Sequence, residues 1–294
     1  MEDLDASRVV PGAADEILRA LQRYGLAWDG EVAVQSRRTA LYEDALARLR
    51  VAGLVYDCGC TRAEVARAAG APDASDPVDD AGAVYAGTCR VGLAPGRAAR
   101  AVRFRVSDGT ISFEDRVRGR IEEDVARAVG DFVVRRADGP FAYQLAVVVD
   151  DAEQGITEVV RGGDLLSSTG RQIAVQTALG LPTPAYAHLP LVLGPDGKKL
   201  GKRNGALPLE TLDERRVRET LALALRLLGQ EARGVAPGEM LGEAARTFDP
   251  TRVPTGPLRV DEGGRIVAAG AAGTRGFSGA GGAGGAEPVE PSAR

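Results

Sequence analysis

The chain has 294 residues, 44% of them hydrophobic and 27% charged, with a net charge of −4. That is enough for one large domain or two to three small ones around a sizeable core. The acidic balance excludes a protein that coats nucleic acid through overall charge, so any RNA partner must be met by local patches.

No apolar run is long enough to span a bilayer. Met1-Glu2-Asp3-Leu4-Asp5 has neither the basic start nor the apolar stretch of a signal peptide, so a cytoplasmic location is expected. Residues 1–11 read as the end of a strand running into a loop. Ile17, Leu18 and Leu21 recur at helical spacing and predict a helix from about Ala13 to Tyr24. Ser36 is placed to cap a second helix carrying Leu41, Ala45 and Leu49, which Gly53 would close. Residues 68–83, rich in Ala, Asp, Gly and Pro, have no periodicity and read as a loop. Val102-Arg103-Phe104-Arg105-Val106 alternates, Ser107-Asp108-Gly109-Thr110 supplies a turn and Ile111 resumes, which predicts a hairpin.

Phe132–Arg136 and Thr157–Arg161 read as strands, and the apolar run Ala142–Val149 suits a buried strand or a core helix. A helix from about Thr169 to Leu179 precedes Pro182 and Pro184. Leu221, Leu223, Leu225 and Leu228 continue a helical pattern after Asp213. Strands interleaved with helices argue for an α/β fold. From Glu262 onward the chain is Gly/Ala-rich and nearly free of core formers, and a disordered tail is expected.

Of the 37 Lys and Arg residues only Lys198, Lys199 and Lys202 are lysine, and all lie in the glycine-punctuated stretch Gly194 to Gly205. Lysine offers a compact ammonium on a flexible stem where arginine offers a rigid fork. In so arginine-rich a chain these lysines read as a loop that grips phosphate, the alternative being a solvated surface turn. Cys58, Cys60 and Cys89 are odd in number and too close at Cys58/Cys60 for a disulfide framework, so they read as a metal site or as inert thiols. Arg97, Arg100, Arg103, Arg105, Arg116, Arg118 and Arg120 form a local basic stretch, either a phosphate-binding face or a solvated one balanced by Glu114, Asp115, Glu122 and Glu123. Arg161, at a strand end, could hold a carboxylate bidentately, the alternative being a surface ion pair.

Four segments carry a resemblance when taken in order: Phe141 to Asp151, Thr157-Glu158-Val159-Val160-Arg161-Gly162-Gly163-Asp164, Ala187-His188-Leu189-Pro190-Leu191, and Lys199-Leu200-Gly201-Lys202-Arg203. Together they resemble the catalytic core of the glutamyl-tRNA synthetases, class I aminoacyl-tRNA synthetases, and in detail their short glutamyl-queuosine tRNA(Asp) branch. The likeness runs from residue 1 to about 229. It implies a Rossmann-like core lacking its first strand-helix unit (1–54 and 129–193), a zinc-bearing insertion (55–128), a lysine-loop and helical region (194–261) and the tail (262–294).

The resemblance implies a ligase that activates L-glutamate with ATP and Mg2+ and transfers the glutamyl group to queuosine in the anticodon of tRNA(Asp), acting as a monomer. The family's roles fall on Glu2 for the substrate ammonium, on Tyr143 and Arg161 for glutamate, and on Lys202, assisted by Lys199, for the ATP phosphates. Cys58, Cys60, Tyr85 and Cys89 would hold a structural zinc ion. His188 lies within a family segment with a structural role, and Gly201 stands where the family has serine. The family's Ala-Pro-Ser-Pro segment and His-x-Gly signature are not found, so a start upstream of Met1 is expected. The alternatives are a relative that charges a tRNA 3′ end, or a truncated tRNA-binding module without activity.

Overall fold

The computed structural model describes residues 1–69, 83–200, 212–261 and, as backbone, 266–269. In chain order the first elements are α1 (Ala13–Arg23), α2 (Thr39–Val51), β1 (Val55–Cys58), α3 (Arg62–Ala68), β2 (Ala101–Phe104), β3 (Ile111–Asp115), β4 (Gly119–Glu123), α4 (Val125–Ala128) and β5 (Phe132–Arg135). There follow α5 (Tyr143–Glu153), β6 (Glu158–Gly162), α6 (Leu166–Leu179), β7 (Ala185–Leu189), β8 (Val192–Leu193), α7 (Glu214–Leu227), α8 (Pro237–Thr247), β9 (Leu258–Val260) and β10 (Ile266–Ala269).

These strands form three sheets, ordered β1-β2-β5, β4-β3-β7-β6 and β10-β9-β8. In the four-stranded sheet β6 and β7 run parallel in register from Glu158↔Ala185 to Gly162↔Leu189. β3 joins β7 in parallel at Asp115↔Tyr186, and β4 closes the edge antiparallel.

The main core lies between the β1-β2-β5 sheet and helices α2, α5 and α6, with Leu49, Val134, Leu145 and Val175 fully buried. Each such side chain contributes about 1.5–3 kcal/mol by leaving water. The apolar run Ala142–Val149 is therefore helical, buried through Leu145, Ala146 and Val148. A second cluster joins α7 and α8 to Tyr24, at the end of α1. Among the described residues no helix is long and apolar enough to cross a membrane.

Three local expectations are corrected. The 102–111 hairpin does not form, because β2 is the middle strand of its sheet and has no free edge. Beyond it, the Arg105 amide donates to the Leu54 carbonyl and the Val106 amide to the Asp131 carboxylate, each at 2.8 Å. β3 pairs instead with β4 across a turn in which Asp115 accepts the Val117 and Arg118 amides. Ser36 does not cap α2: its hydroxyl and amide both donate to Asp3, and the helix starts at Thr39. The buried stripe of α2 is Tyr42, Ala45, Leu46 and Leu49, with Leu41 exposed. Finally, the expected tail contains β10, paired antiparallel with β9, and its remainder lies outside the described residues.

Candidate active site and metal site

β3, β7 and β6 lie side by side in parallel, so their carboxyl ends share one edge, where ligands of open α/β sheets bind. Each strand carries a polar residue at or one residue before that end: Asp115, His188 and Arg161. Arg161 and His188 are register partners. The Arg161 Nε donates to His188 Nε2 at 3.0 Å, its Nη2 to the Thr169 hydroxyl at 2.8 Å, and its Nη1 to the Tyr143 hydroxyl at 3.3 Å. The guanidinium carbon lies 5.3 Å from the centre of the Tyr186 ring.

Behind it, the Nδ1 of the fully buried His188 lies 2.6 Å from the equally buried Asp115 carboxylate. Burial opposes the Asp115 charge, but hydrogen bonds from His188, Arg118 and Val117 outweigh it and hold the carboxyl below its ordinary range. Of the five N–H groups of a guanidinium, three have partners among the described residues. Two remain for a carboxylate.

Two acids, Asp151 and Glu2, feel the charge of this arginine, and a third, Asp150, stands beside them. Asp150 is anchored, accepting from Gln35 at 2.8 Å, Arg38 at 2.7 Å and the Tyr42 hydroxyl at 2.9 Å. Asp151, beside it on α5, has its carboxyl pushed up to about 6 by burial, against the pull of Arg161. The Glu2 carboxyl is also raised, chiefly by lost solvation, with the Met1 ammonium and Arg161 opposing and Asp150 adding. The segment carrying Glu2 is fixed by the Asp3–Ser36 hydrogen bonds and by Asp5, which accepts from Arg136 at 2.9 Å. An arginine fork beside an excess of carboxylates suits a ligand bearing both a carboxylate and an ammonium group. Glu2, Tyr143 and Arg161, the expected glutamate contacts, thus influence one another in one site.

Cys58, Cys60 and Cys89 place their sulfurs within 4.8 Å of one another. Cys60 and Cys89 are 3.6 Å apart, and the Tyr85 oxygen is 3.5 Å from Cys58 and 3.8 Å from Cys60. Tetrahedral zinc with sulfurs at about 2.3 Å requires ligand spacings of this size. The Tyr85 oxygen also accepts the Cys89 amide at 2.8 Å. Arg103 supplies a counter-charge, stacked 3.8 Å from the Tyr85 ring centre with its Nε 3.4 Å from Cys58. Burial pushes the Cys58 thiol up, but the Tyr85 hydroxyl, the Cys60 amide and Arg103 together bring it down to about 7.

The lysine stretch begins as a tight turn in which the Gly194 amide donates to the Lys198 carbonyl and the Leu200 amide to the Val192 carbonyl. Lys199 pairs with Asp164, just beyond β6. Lys202, Gly201 and Arg203 lie outside the described residues, as does most of the 68–83 loop. Among the described residues, six of the seven arginines of the basic stretch have protein partners, Arg100 being exposed with only its backbone amide bonded. Arg97 pairs with Glu64, Arg103 belongs to the cysteine cluster, Arg105 donates to the Arg90 carbonyl, Arg116 pairs with Glu158, Arg118 donates to the His188 carbonyl, and Arg120 pairs with Glu122.

Asp115, Thr169, Asp151 and Arg103 were not singled out for these places. Asp115 reads as one acid in a charged hairpin and Arg103 as one basic residue in a charged run. Only strand pairing reveals what they face.

The family described as tRNA synthetases class I (E and Q), catalytic domain, matches residues 1–253. The glutamyl-Q tRNA(Asp) synthetase of Geobacter sulfurreducens is 52% identical over 262 residues, covering 87% of this chain and 82% of that protein. That of Aromatoleum aromaticum is 52% identical over 245 residues, covering 83% and 73%. Among solved structures, a glutamate tRNA ligase from Elizabethkingia meningosepticum in complex with its amino acid has a TM-score of 0.69 at 25% identity, covering 88% of this chain and 59% of that one. The glutamate-tRNA synthetase of Elizabethkingia anophelis has a TM-score of 0.68 at 24% identity, and the chain spans 60% of it. The family match over residues 1–253, with relatives about half identical across most of both chains, shows that this chain belongs to the class I tRNA synthetases of the glutamate and glutamine type.

Proposed function

We propose that this chain activates L-glutamate with ATP and transfers the glutamyl group to queuosine in the anticodon of tRNA(Asp). The arrangement of Arg161 carries the reading: three of its N–H groups are fixed by the protein, two are left for a carboxylate, and carboxylates stand nearby for an ammonium group. The names of the relatives, glutamyl-Q tRNA(Asp) synthetases, supply the acceptor.

In this reading Arg161 and Tyr143 hold glutamate by a carboxylate, and Glu2, with Asp151 beside it, receives the ammonium. A glutamate α-carboxylate oxygen attacks the α-phosphorus of ATP, the bond to pyrophosphate breaks, and glutamyl adenylate forms. Lys199 and Lys202 stabilise the charge that builds on pyrophosphate, an electrostatic role asking little covalent chemistry of the protein. ATP arrives with Mg2+. A hydroxyl of queuosine then attacks the acyl carbon and AMP leaves. Cys58, Cys60, Cys89 and Tyr85 would hold zinc, which supplies a cross-link between β1 and the 85–89 segment.

The test is glutamate-dependent exchange of labelled pyrophosphate into ATP without tRNA, followed by transfer of labelled glutamate to tRNA(Asp) with and without queuosine. Exchange without RNA, and transfer only to the queuosine form, are expected. Attachment to a 3′ end, or an absence of exchange, would refute the reading. Arg161→Ala should lower exchange about 100-fold or more, since hydrogen bonds to charged groups contribute about 1.5–3 kcal/mol each.

A further inference from the structure

His188 is the chain's single histidine, and its surroundings define more than a space-filling role. Arg161 Nε can only donate, so the His188 Nε2 it approaches at 3.0 Å must carry a lone pair rather than a proton. Nδ1 then bears the proton and donates to Asp115 at 2.6 Å. Thr169 stands beside both: its hydroxyl accepts from Arg161 Nη2 at 2.8 Å and lies 3.2 Å from Nε2.

Asp115 holds the β3–β4 turn through one carboxylate oxygen, and its other oxygen faces His188 Nδ1, which fixes the tautomer of the ring. Here that carboxylate is satisfied by the His188 side chain, by the Val117 and Arg118 amides, and by the His188 amide at 3.3 Å. A carboxylate placed directly against Arg161 Nε would also orient the guanidinium, but it would cancel the charge a substrate carboxylate needs. A neutral imidazole orients it and leaves that charge in place.

We propose that His188 is a positioning residue: fixed by Asp115 as the neutral Nδ1–H tautomer, it aims Arg161 at the substrate carboxylate. This rests on the reading of Arg161 as the glutamate anchor. Three variants separate the parts. His188→Gln can place an amide oxygen near the former Nε2 and keep the Arg161 contact. His188→Asn can reach Asp115 but not Arg161. Asp115→Asn can donate to Nδ1, which permits the Nε2–H tautomer and turns an N–H towards Arg161.

The experiment begins with nitrogen NMR of the full chain labelled with 15N-histidine, in which a single imidazole gives the only ring signals. A protonated Nδ1 and an unprotonated Nε2 are expected in the wild type. The Nε2–H tautomer or an imidazolium would overturn the proposal whatever the variants do. In pyrophosphate exchange, His188→Asn and Asp115→Asn should raise the glutamate KM about 10- to 100-fold, with the ATP KM changed less than about twofold. His188→Gln should restore much of the loss. Unchanged glutamate KM in both weakened variants, or an equal rise in the two KM values, would overturn it. If the wild type shows no glutamate-dependent exchange, the glutamate reading fails, while the tautomer is still read directly from the spectrum.

Discussion

Asp151 shows how much a single side chain in this site depends on its ligand. Its carboxyl is raised from 3.8 to about 6 by burial, so it takes up a proton more readily in the folded chain than in the unfolded one. That preference adds stability below pH 3.8 and is lost as pH rises to about 6, above which the folded state holds an ill-solvated charge. Asp151→Asn should therefore stabilise the ligand-free protein by about 1 kcal/mol at pH 7.5, a figure reduced for the group's partial exposure. It should gain little at pH 4, and thermal unfolding at the two pH values checks this. A ligand ammonium would remove the cost, so the same variant should bind glutamate more weakly. The roles proposed for Tyr143 and Arg161 come from the ordered motifs in which they stand. Asp115 was not legible in sequence, because its role depends on β3 lying against β7, a contact between residues far apart in the chain.

At the scale of elements, the strands around 102, 132 and 158 were readable from alternation in the first and strand-forming composition in the others, but not which strand pairs with which. Alternation reports a face, whereas pairing is decided by which edges remain free. The cysteine segment proposed to hold zinc depends on one such pairing: Tyr85 bridges to Gly130, with the Tyr85 amide donating to the Val129 carbonyl at 3.2 Å. Gly130 has φ +72°, and an added Cβ would stand 2.6 Å from the Tyr85 carbonyl oxygen. Gly130→Ala should cost about 1–3 kcal/mol through backbone strain and displace Tyr85 from the three cysteines. A lower urea midpoint together with faster loss of zinc to a chelator is the expected pair of results. A lower midpoint with unchanged zinc retention would mean that Tyr85 is not a ligand. Arg103→Met tests the same segment from the other side and should weaken zinc retention about tenfold by removing the counter-charge.

Across the whole molecule, the cysteine cluster packs with Tyr56, Val65 and Leu93, apart from the main core under α5 and α6. Stripping zinc should therefore lower the melting temperature, because a ligand held only by the folded state stabilises it by mass action. Glutamate-dependent exchange without tRNA should survive at temperatures below the new transition, and loss of exchange there would tie the two sites together. Of the seven arginines that read as either a phosphate-binding face or a solvated one, most have protein partners, which favours a small share for them in the salt dependence of tRNA binding.

The Lys199–Asp164 pair adds a consequence for how the two small substrates cooperate. Asp164 follows closely on Arg161 in the same segment, so in the proposed reading one stretch of backbone would carry the anchor for glutamate and the restraint on a cation that meets ATP. If ATP draws Lys199 away from Asp164, and glutamate shifts the backbone that bears it, the two binding equilibria are linked. Linkage is reciprocal: whatever factor glutamate imposes on the affinity for ATP, ATP imposes on the affinity for glutamate. Titrating each in the presence and absence of the other would return one coupling factor, and Asp164→Asn should bring it close to one.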